Sequence, residues 1–210
     1  MVKFSLCVFM LLAFPFYHAA AQKKKVKTVS IGKQKWMAEN LDVAKFQNGD
    51  VIPEAKSDEE WISAGENKQP AWCIDPLSSY SGSYGRLYNW YAVNDQRKIC
   101  PKGYHVATDS NWTTLAMYLG GEDVAGEKIK SNGWSEDRNI TNKSNFKAYP
   151  GAVRIKDGVF TPTNCCTSWW SSTADNENFA FYRSLSSEST ALNHHVSNKA
   201  NGFYVRCVKD

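Results

Sequence analysis

Apolar residues follow a helical period most clearly in the segment TDSNWTTLAMYLGG, which begins at Thr108. Four of its apolar residues fall at positions i, i+3, i+4 and i+7: Trp112, Leu115, Ala116 and Leu119. This spacing places them on one face of a helix. Thr108 or Asp109 is a suitable N-cap, and Gly120 with Gly121 forms a stop signal. The segment is therefore predicted to be an amphipathic helix.

Shorter helices are predicted at three other places. The segment SDEEWISAG begins with Ser57 as N-cap and Glu60 as its partner in a capping box, and Gly65 ends it. The aromatic run RLYNWYAV, residues 86–93, contains no glycine or proline and is predicted to be a short buried helix. Residues 123–130 are predicted to add one further helical turn, although an internal glycine weakens it.

The remaining apolar positions indicate short β-strands joined by tight turns or polar loops. The segment TVSIGKQKWM alternates about Gly32 and Lys33 and is predicted to be a hairpin, and VRIKDGVFT is predicted to turn at Asp157 and Gly158. Further strands are predicted at Tyr104–Val106, in WWSST, and at residues 179–185 and 202–208. Loops are predicted at residues 47–50, 69–85 and 131–145. Short helices early and hairpins late indicate an α+β domain.

The N-terminal region has the three parts of a secretory signal peptide. Lys3 gives a positive start, residues 4–16 are apolar, and three alanines at 19–21 form a cleavage site. The apolar run is too short to span a bilayer, which takes about 20 residues. We therefore expect export to the periplasm, the cell surface or the medium. The predicted division is a signal peptide at 1–21, a basic flexible leader at 22–27 and one domain at 28–210.

Charge and composition narrow the class of partner. The formal net charge of the 210 residues is +4, and much of it lies in the predicted leader, which contains four lysines. The rest of the chain is near neutral, so nucleic-acid binding has no electrostatic support. Eight tryptophans among many Asn, Ser, Gly and Thr residues are typical of secreted domains in which polar loops cover an aromatic core.

One of the six cysteines lies in the predicted signal peptide, which leaves an odd number in the exported domain: Cys73, Cys100, Cys165, Cys166 and Cys207. Disulfides are expected after export. Cys100 and Cys207 are the favoured pair, because a bridge between them would tie the last strand to the middle of the chain. Cys73 would then pair with Cys165 or Cys166. The alternative is a vicinal Cys165–Cys166 bridge that leaves Cys73 free.

Few patterns in the chain support catalysis or metal binding. There is no G-x-S-x-G elbow, no C-x-x-C pair and no Gly-rich phosphate loop. His105 is alone in its predicted strand, and His194 with His195 would point to opposite faces of a strand. The run DNEN at residues 175–178 offers oxygen ligands for calcium but lacks EF-hand spacing. No cofactor or metal is expected, and an enzyme is not expected.

Six segments together carry a family resemblance. They are VSIGKQKWMAENLDVAKFQNGDVIP, YGRLYNWYAV, CPKGYHVATDSNWTTL, YPGAVRIKDGVF, WWSSTADNENFAFYRSL and NGFYVRCVKD. In this order they resemble the Fibrobacter succinogenes major paralogous domain family, a group of exported bacterial domains. The resemblance covers the chain from Thr28 to Asp210. It implies export and a fold rather than a particular activity.

A more distant resemblance concerns the fold alone. HVATDSNWTTL and NGFYVRCVK are similar to a helix entry and to the closing strand of the formylglycine-generating-enzyme domains, which have a C-type lectin-like fold. The resemblance implies two main helices, a twisted antiparallel sheet and long loops that carry the ligand site. The catalytic cysteine pair of those enzymes has no counterpart here, since no cysteine follows residues 183–187 before Cys207. The E-P-N, Q-P-D and W-N-D calcium signatures of lectins are also missing.

These observations favour an exported, non-catalytic binding module whose partner is an unknown glycan or surface protein. Aromatic rings in polar loops can stack on sugars while amides and guanidinium groups donate hydrogen bonds. If WWSST is a strand, Trp169 and Trp170 face opposite ways, so one belongs to the core and the other lies at or near the surface. The alternatives are a structural protein of surface assemblies and, less favoured, a hydrolase or oxidase. The candidate ligand-binding residues are Trp134, Arg154, Trp170, Asp175, Asn176 and Asn178; for Trp134, a core position under its loop is the competing interpretation.

Overall fold

The structure, a computed structural model, describes residues 26–76, 84–131, 133–134, 144–161 and 165–210. The predicted signal peptide, most of the predicted leader and most of the predicted loop at 131–145 lie outside these residues. Within the described part of the chain, no helix has both the length and the apolar character needed to cross a membrane.

The described residues form an α+β arrangement, as the sequence predicts. Its strands are β1 (Thr28–Ile31), β2 (Gln34–Met37), β3 (Trp72–Ile74), β4 (Arg86–Asn89), β5 (Tyr104–Val106), β6 (Cys166–Ala174), β7 (Phe179–Ser186), β8 (Asn193–Asn198), β9 (Gly202–Phe203) and β10 (Cys207–Lys209). Its helices are α1 (Asp58–Glu66), α2 (Trp90–Val93), α3 (Asp109–Tyr118) and α4 (Glu122–Ile129). Three of these helices have eight to ten residues, whereas two main helices were predicted.

The described strands form three small antiparallel sheets. Their strand orders are β1-β2-β10-β5, β3-β4-β9 and β6-β7-β8. The predicted first hairpin is present, with Ile31 paired to Gln34 across a two-residue turn. The last strand, β10, lies between β2 and β5, so the two ends of the described chain meet in one sheet.

Local capping signals account for the helix starts. Ser57 and Glu60 form the predicted capping box of α1, and Thr108 caps α3 by accepting the N–H of Asn111. Gly126 weakens the sequence signal for α4 but is required by packing. A Cβ atom there would lie 2.5 Å from the carbonyl oxygen of Ala191, which belongs to the backbone and cannot swing away. For this reason the sequence predicted only one further helical turn where the structure has the eight-residue helix α4.

Two predicted elements are divided in the structure. Residues 86–93, predicted to be one helix, are split at Asn89, whose side chain accepts the N–H of Ala92 and caps α2. The first half is a strand instead, because it is held between β3 and β9. Residues 202–208, predicted to be one strand, are split into β9 and β10, because Tyr204 turns to bridge Trp169 in β6.

Two further expectations require smaller corrections. The predicted loop at 69–85 contains β3, which pairs with β4 and buries Trp72 and Cys73. The predicted hairpin about Asp157 and Gly158 is reduced to one bridge, between Arg154 and Phe160.

Strand β6 lies between two separate hydrophobic core clusters. Trp169 packs in the first cluster with Trp36, Trp112 and Phe146, and Trp170 packs in the second with Tyr88 and Phe203. Both tryptophans are 0% exposed. The alternation of the strand was predicted correctly, but the surface position for one tryptophan was wrong, because both faces of β6 are covered.

A buried arginine joins this sheet to two helix ends. The guanidinium of Arg183 in β7 is fully buried and donates to Asp109 at 3.0 Å and to Glu122. These two carboxylates are the first residues of α3 and α4, where negative charge complements the helix dipole. Asp109 also contacts Nε2 of His194 at 3.0 Å. We interpret this group as a clamp between sheet and helices.

Candidate functional site

Three of the predicted ligand-binding residues are buried and serve the core. Trp134 is 4% exposed, and its indole N–H donates to the carbonyl of Ala148 at 3.0 Å. Trp170 donates its N–H to the carbonyl of Tyr88 at 2.8 Å. Neither ring can meet a ligand, so these two predictions were wrong. The core interpretation of Trp134 is the correct one.

Arg154 is the third buried residue of the predicted set. Its guanidinium donates to the carbonyls of Gly158, Ala55 and Ser57 at 2.9–3.0 Å, and to the carboxylate of Asp58 at 2.8 Å. It also lies 5.0 Å from the ring centre of Trp61. Arg154 therefore fastens the 154–160 turn to the start of α1 and has no face left for a ligand.

The predicted loop at 175–178 is exposed, and hydrogen bonds among its own residues and Phe179 fix its shape. The side-chain oxygen of Asn176 accepts the N–H groups of Asn178 and Phe179 at 2.9 and 3.0 Å, which makes a turn. The Asn176 amide in turn donates to Asp175 at 2.8 Å. Asp175 and Asn176 therefore shape the turn, and the Asn178 side chain makes no hydrogen bond with another described residue.

Two lysines hold this loop against the body of the protein. Lys199 donates to the carbonyls of Asn176 and Glu177 at 2.7 and 2.9 Å while it lies 4.3 Å from the ring centre of Trp90. Lys68, just after α1, donates to Glu177 at 3.0 Å. This contact raises the pKa of Lys68 and lowers the pKa of Glu177, as expected for an opposite-charge hydrogen bond. These contacts fix the position of the exposed loop on the protein surface.

A groove of about 290 Å³ opens beside this loop, and we call it the Tyr91 groove. Four parts of the chain meet there: the end of α1, the helix α2, the turn at 156–157 and the facing ends of β7 and β8. Its lining residues are Ile62, Gly65, Glu66, Lys68, Tyr91, Lys156, Asp157, Asn178, Asn198 and Ala200.

Close packing forms the wall of the Tyr91 groove. A Cβ atom on Gly65 would lie 2.8 Å from Cβ of Ala200, so a glycine is needed for α1 to approach the chain after β8. Gly65, predicted to end the helix, is instead a packing residue within it, and Asn67 is the C-cap. Asn198 is also committed, since its side-chain oxygen accepts the N–H of Ala200 at 2.9 Å.

Three polar side chains in the Tyr91 groove remain available to a ligand. Glu66, Tyr91 and Asn178 make no side-chain hydrogen bond to another residue in the described part of the chain. Tyr91 is half-buried, and its desolvation raises the pKa of its hydroxyl, which therefore stays protonated at neutral pH. The groove thus combines a ring face, a hydroxyl, an amide and a carboxylate, with Lys68 and Lys156 at its edge.

A larger groove, of about 490 Å³, lies beside Cys100 and β5, and several of its polar side chains already have partners. His105 contacts Asp210 at 2.7 Å through Nδ1 and Asn111 at 3.1 Å through Nε2. Gln47 donates to the carbonyl of Cys100 at 2.6 Å, and Asp95 holds Arg97. In this groove Asn94, Lys98, Lys102 and Tyr104 make no side-chain hydrogen bond within the described residues. We give more weight to the Tyr91 groove, because a carboxylate, an amide and an aromatic ring without hydrogen-bond partners meet there.

The cysteines are arranged differently from the favoured prediction in one respect. The structure contains the Cys100–Cys207 disulfide, the pair favoured by the sequence. Cys73 forms no disulfide and is buried in the first core cluster, so its predicted pairing with Cys165 or Cys166 was wrong. Burial raises the pKa of the Cys73 thiol to about 11. The sulfur atoms of Cys165 and Cys166 lie 3.7 Å from each other.

Comparison with known families now places the chain. The family model of the Fibrobacter succinogenes major domain matches residues 29–209. The chain belongs to this family. Comparisons with curated proteins and with solved structures find no significant match. The family match spans all the described strands and helices except the first residue of β1, so the Tyr91 groove lies inside the family domain.

Of the groove's available side chains, Asn178 was predicted from the sequence, whereas Glu66 and Tyr91 were not. Asn178 was found through the polar DNEN run, whereas Tyr91 was assigned to a wholly buried helix. A signal for Tyr91 was present, because its hydroxyl is the one group in the helix Trp90–Val93 that both donates and accepts hydrogen bonds through a side chain. Within the described residues, no group of three or more His, Cys, Asp or Glu side chains is placed to hold a metal ion.

Proposed function

We propose that this domain is an exported, surface-associated and non-catalytic binding module that takes a glycan in the Tyr91 groove. The observation that carries the proposal is the meeting of Glu66, Tyr91 and Asn178, three side chains that line one groove and make no side-chain hydrogen bond within the described residues. A sugar ring offers C–H groups for the tyrosine face and hydroxyls for the amide and carboxylate. A volume of about 290 Å³ suits one sugar unit, with longer chains extending along the exposed edge.

The proposed compartment rests on the residues of the N-terminal segment, and the proposed fold rests on the sheet arrangement. A positive start, an apolar run and an alanine cleavage site support export. A last strand held between β2 and β5 and tied by Cys100–Cys207 supports a C-type lectin-like fold. In both cases the ligand would be met outside the cytoplasm, where glycans are displayed.

The ligand proposal predicts a pattern of binding across four proteins. The wild-type protein should bind one class of cell-wall or host polysaccharide on a glycan array. Tyr91→Ala should weaken binding about tenfold through loss of the ring face and hydroxyl. Asn178→Ala should weaken it about threefold to tenfold through loss of one or two hydrogen bonds. Dissociation constants by calorimetry on the best array ligand give these ratios.

Tyr118→Ala is the matched control for this series. Tyr118 is 65% exposed and lines a different groove, beside β1, so its removal should leave the dissociation constant unchanged. Absence of binding to every glycan would overturn the ligand proposal. Equal binding by Tyr91→Ala and the wild-type protein would overturn the assignment of the site, as would a loss confined to Tyr118→Ala.

A further inference from the structure

The adjacent thiols of Cys165 and Cys166 form a second centre of chemistry, separate from the Tyr91 groove. Their sulfur atoms are 3.7 Å apart, whereas a disulfide bond is about 2.05 Å long. Only a rotation of the two side chains and an adjustment of the intervening peptide separates this arrangement from a covalent bond. Cys165 is exposed and Cys166 is half-buried, so reagents reach the first thiol more easily than the second.

We propose that Cys165 and Cys166 are a modification site, a vicinal dithiol that is oxidised reversibly by exchange with a disulfide. The oxidant is a disulfide-bonded small molecule or an exported disulfide oxidoreductase. In the first step the Cys165 thiolate attacks one sulfur of the oxidant, which forms a mixed disulfide and releases the other sulfur as a thiolate. In the second step the Cys166 thiolate attacks the Cys165 sulfur and releases the remaining thiolate. Two protein thiols lose two electrons and two protons, and the oxidant is reduced to two thiols.

The environment of each sulfur supports this order of events. Burial, together with the neighbouring Cys165, raises the pKa of Cys166 from 9.0 to about 11. A thiol with so high a pKa has little thiolate and is a poor first nucleophile, but its thiolate is strongly nucleophilic once formed. Cys165 is therefore the attacking residue and Cys166 the resolving residue.

Proximity favours the internal product over competing ones. A thiol held next to a mixed disulfide acts at an effective concentration well above about 1 mM, which exceeds that of a second protein molecule in solution. The intramolecular step should therefore precede dimer formation. The product is an eight-membered ring whose strain makes it easier to reduce than a structural disulfide, so the reaction is reversible.

Two backbone hydrogen bonds would transmit the change to the fold. The carbonyl of Cys165 accepts the N–H of Ser187 at 2.7 Å, and the carbonyl of Cys166 accepts the N–H of Gly151 at 2.9 Å. Ring closure twists the peptide between the two cysteines and so disturbs both contacts. Oxidation should therefore loosen the start of β6 against the chain that follows β7 and against residues 149–151.

The test is redox equilibration of the purified protein with reduced and oxidised glutathione, followed by acid quenching, alkylation and peptide mass spectrometry. In oxidised glutathione, the wild-type peptide containing both cysteines should lose two hydrogens and take up no alkylating label. Excess reduced glutathione should restore both labels. Hydrogen exchange at Ser187 and Gly151 should be faster in the oxidised form.

Single substitutions identify the role of each thiol. Cys166→Ser lacks the resolving thiol and should accumulate a glutathione adduct on Cys165. Cys165→Ser leaves only Cys166, which should be alkylated several-fold more slowly than Cys165 in the other variant, because Cys166 is half-buried whereas Cys165 is exposed. Cys73→Ser is the control and should behave like the wild-type protein, since Cys73 is buried and has a pKa of about 11.

Three outcomes would overturn the proposal. Both thiols could remain fully alkylated in oxidised glutathione, the wild-type protein could stop at a stable adduct on Cys165, or it could form a disulfide-linked dimer instead. Loss of the oxidised peptide in Cys73→Ser would also contradict it, because the pairing would then involve Cys73. None of these results bears on glycan binding, which is measured on the Tyr91 groove alone.

Discussion

Replacement of Arg206 with alanine should destabilise the protein by about 3–5 kcal/mol, the largest effect expected of a single substitution. Arg206 is 1% exposed and lies between β9 and β10. Its guanidinium donates to Asn40 at 2.7 Å and to the carbonyls of Met37 and Phe146 at 2.9 Å. It also donates to the carbonyl of Lys147 at 3.1 Å. One side chain thus joins β2, residues 146–147 and the last strand.

The physical reason for this effect is the dependence of several buried acceptors on one cation. Desolvation lowers the pKa of Arg206, which shows that burial of its charge is costly. The cost is offset by the four hydrogen bonds and by the Phe146 ring, whose centre is 4.1 Å from the guanidinium carbon. Alanine would leave the carbonyls without donors and a cavity beside Trp169, which lies against the same guanidinium.

Urea unfolding of the wild-type protein and three variants measures the effect. Arg206→Ala should lower the unfolding midpoint strongly. The midpoint of Arg206→Lys should fall between those of Arg206→Ala and the wild-type protein, because an ammonium group cannot reach all four acceptors. Arg97→Ala is the control, since Arg97 pairs with Asp95 near the surface and should matter far less. Equal unfolding midpoints for Arg206→Ala and Arg97→Ala would show that Arg206 is not the structural centre described above.

Removal of the Cys100–Cys207 disulfide is expected to have the second largest effect. The two residues are 107 positions apart, so the bridge closes a long loop in the unfolded chain. In the chain-entropy view, loss of such a bridge costs about 2–5 kcal/mol. The folded state also loses a link between the start of β10 and the chain ahead of β5, although their backbone pairing is retained.

Thermal unfolding of Cys100→Ala/Cys207→Ala should show a melting temperature lower by roughly 10 °C for a domain of this size. Reducing agent should lower the wild-type melting temperature toward that of the variant and leave the variant unchanged. Cys165→Ser, a change at an exposed position, retains the bridge and serves as the control. A double variant that melts with the wild-type protein would mean that the bridge contributes nothing to stability.

The parts of the fold that the sequence predicted are those governed by local contacts. The capping box of α1, the Thr108 cap of α3 and the Gly32–Lys33 turn depend on residues within a few positions of one another. The burial of Trp170 could not be read in this way, because it requires Tyr88 and Phe203, which come from distant parts of the chain. Alternation along a strand shows that two side chains face opposite ways, but not what covers each face.

The same limit applies to the candidate site. A polar run identified Asn178, whereas the burial of Arg154 and the choice between core and surface for Trp134 depended on their internal partners. Arg154 is buried because the carbonyls at the start of α1 happen to face it, which no local pattern records. Tyr91 lies beside Asn178 only because α2 and the start of β7 are brought together by the fold.

The central claim, that a glycan is held in the Tyr91 groove, is tested most directly by amide chemical-shift mapping. The isotope-labelled protein would be titrated with soluble oligosaccharides prepared from the polysaccharide class that binds best on the array. We expect the largest shifts at Glu66, Tyr91, Asn178 and their immediate neighbours. Shifts concentrated instead at Tyr104 and His105, in the groove beside β5, with none at Tyr91 would contradict it.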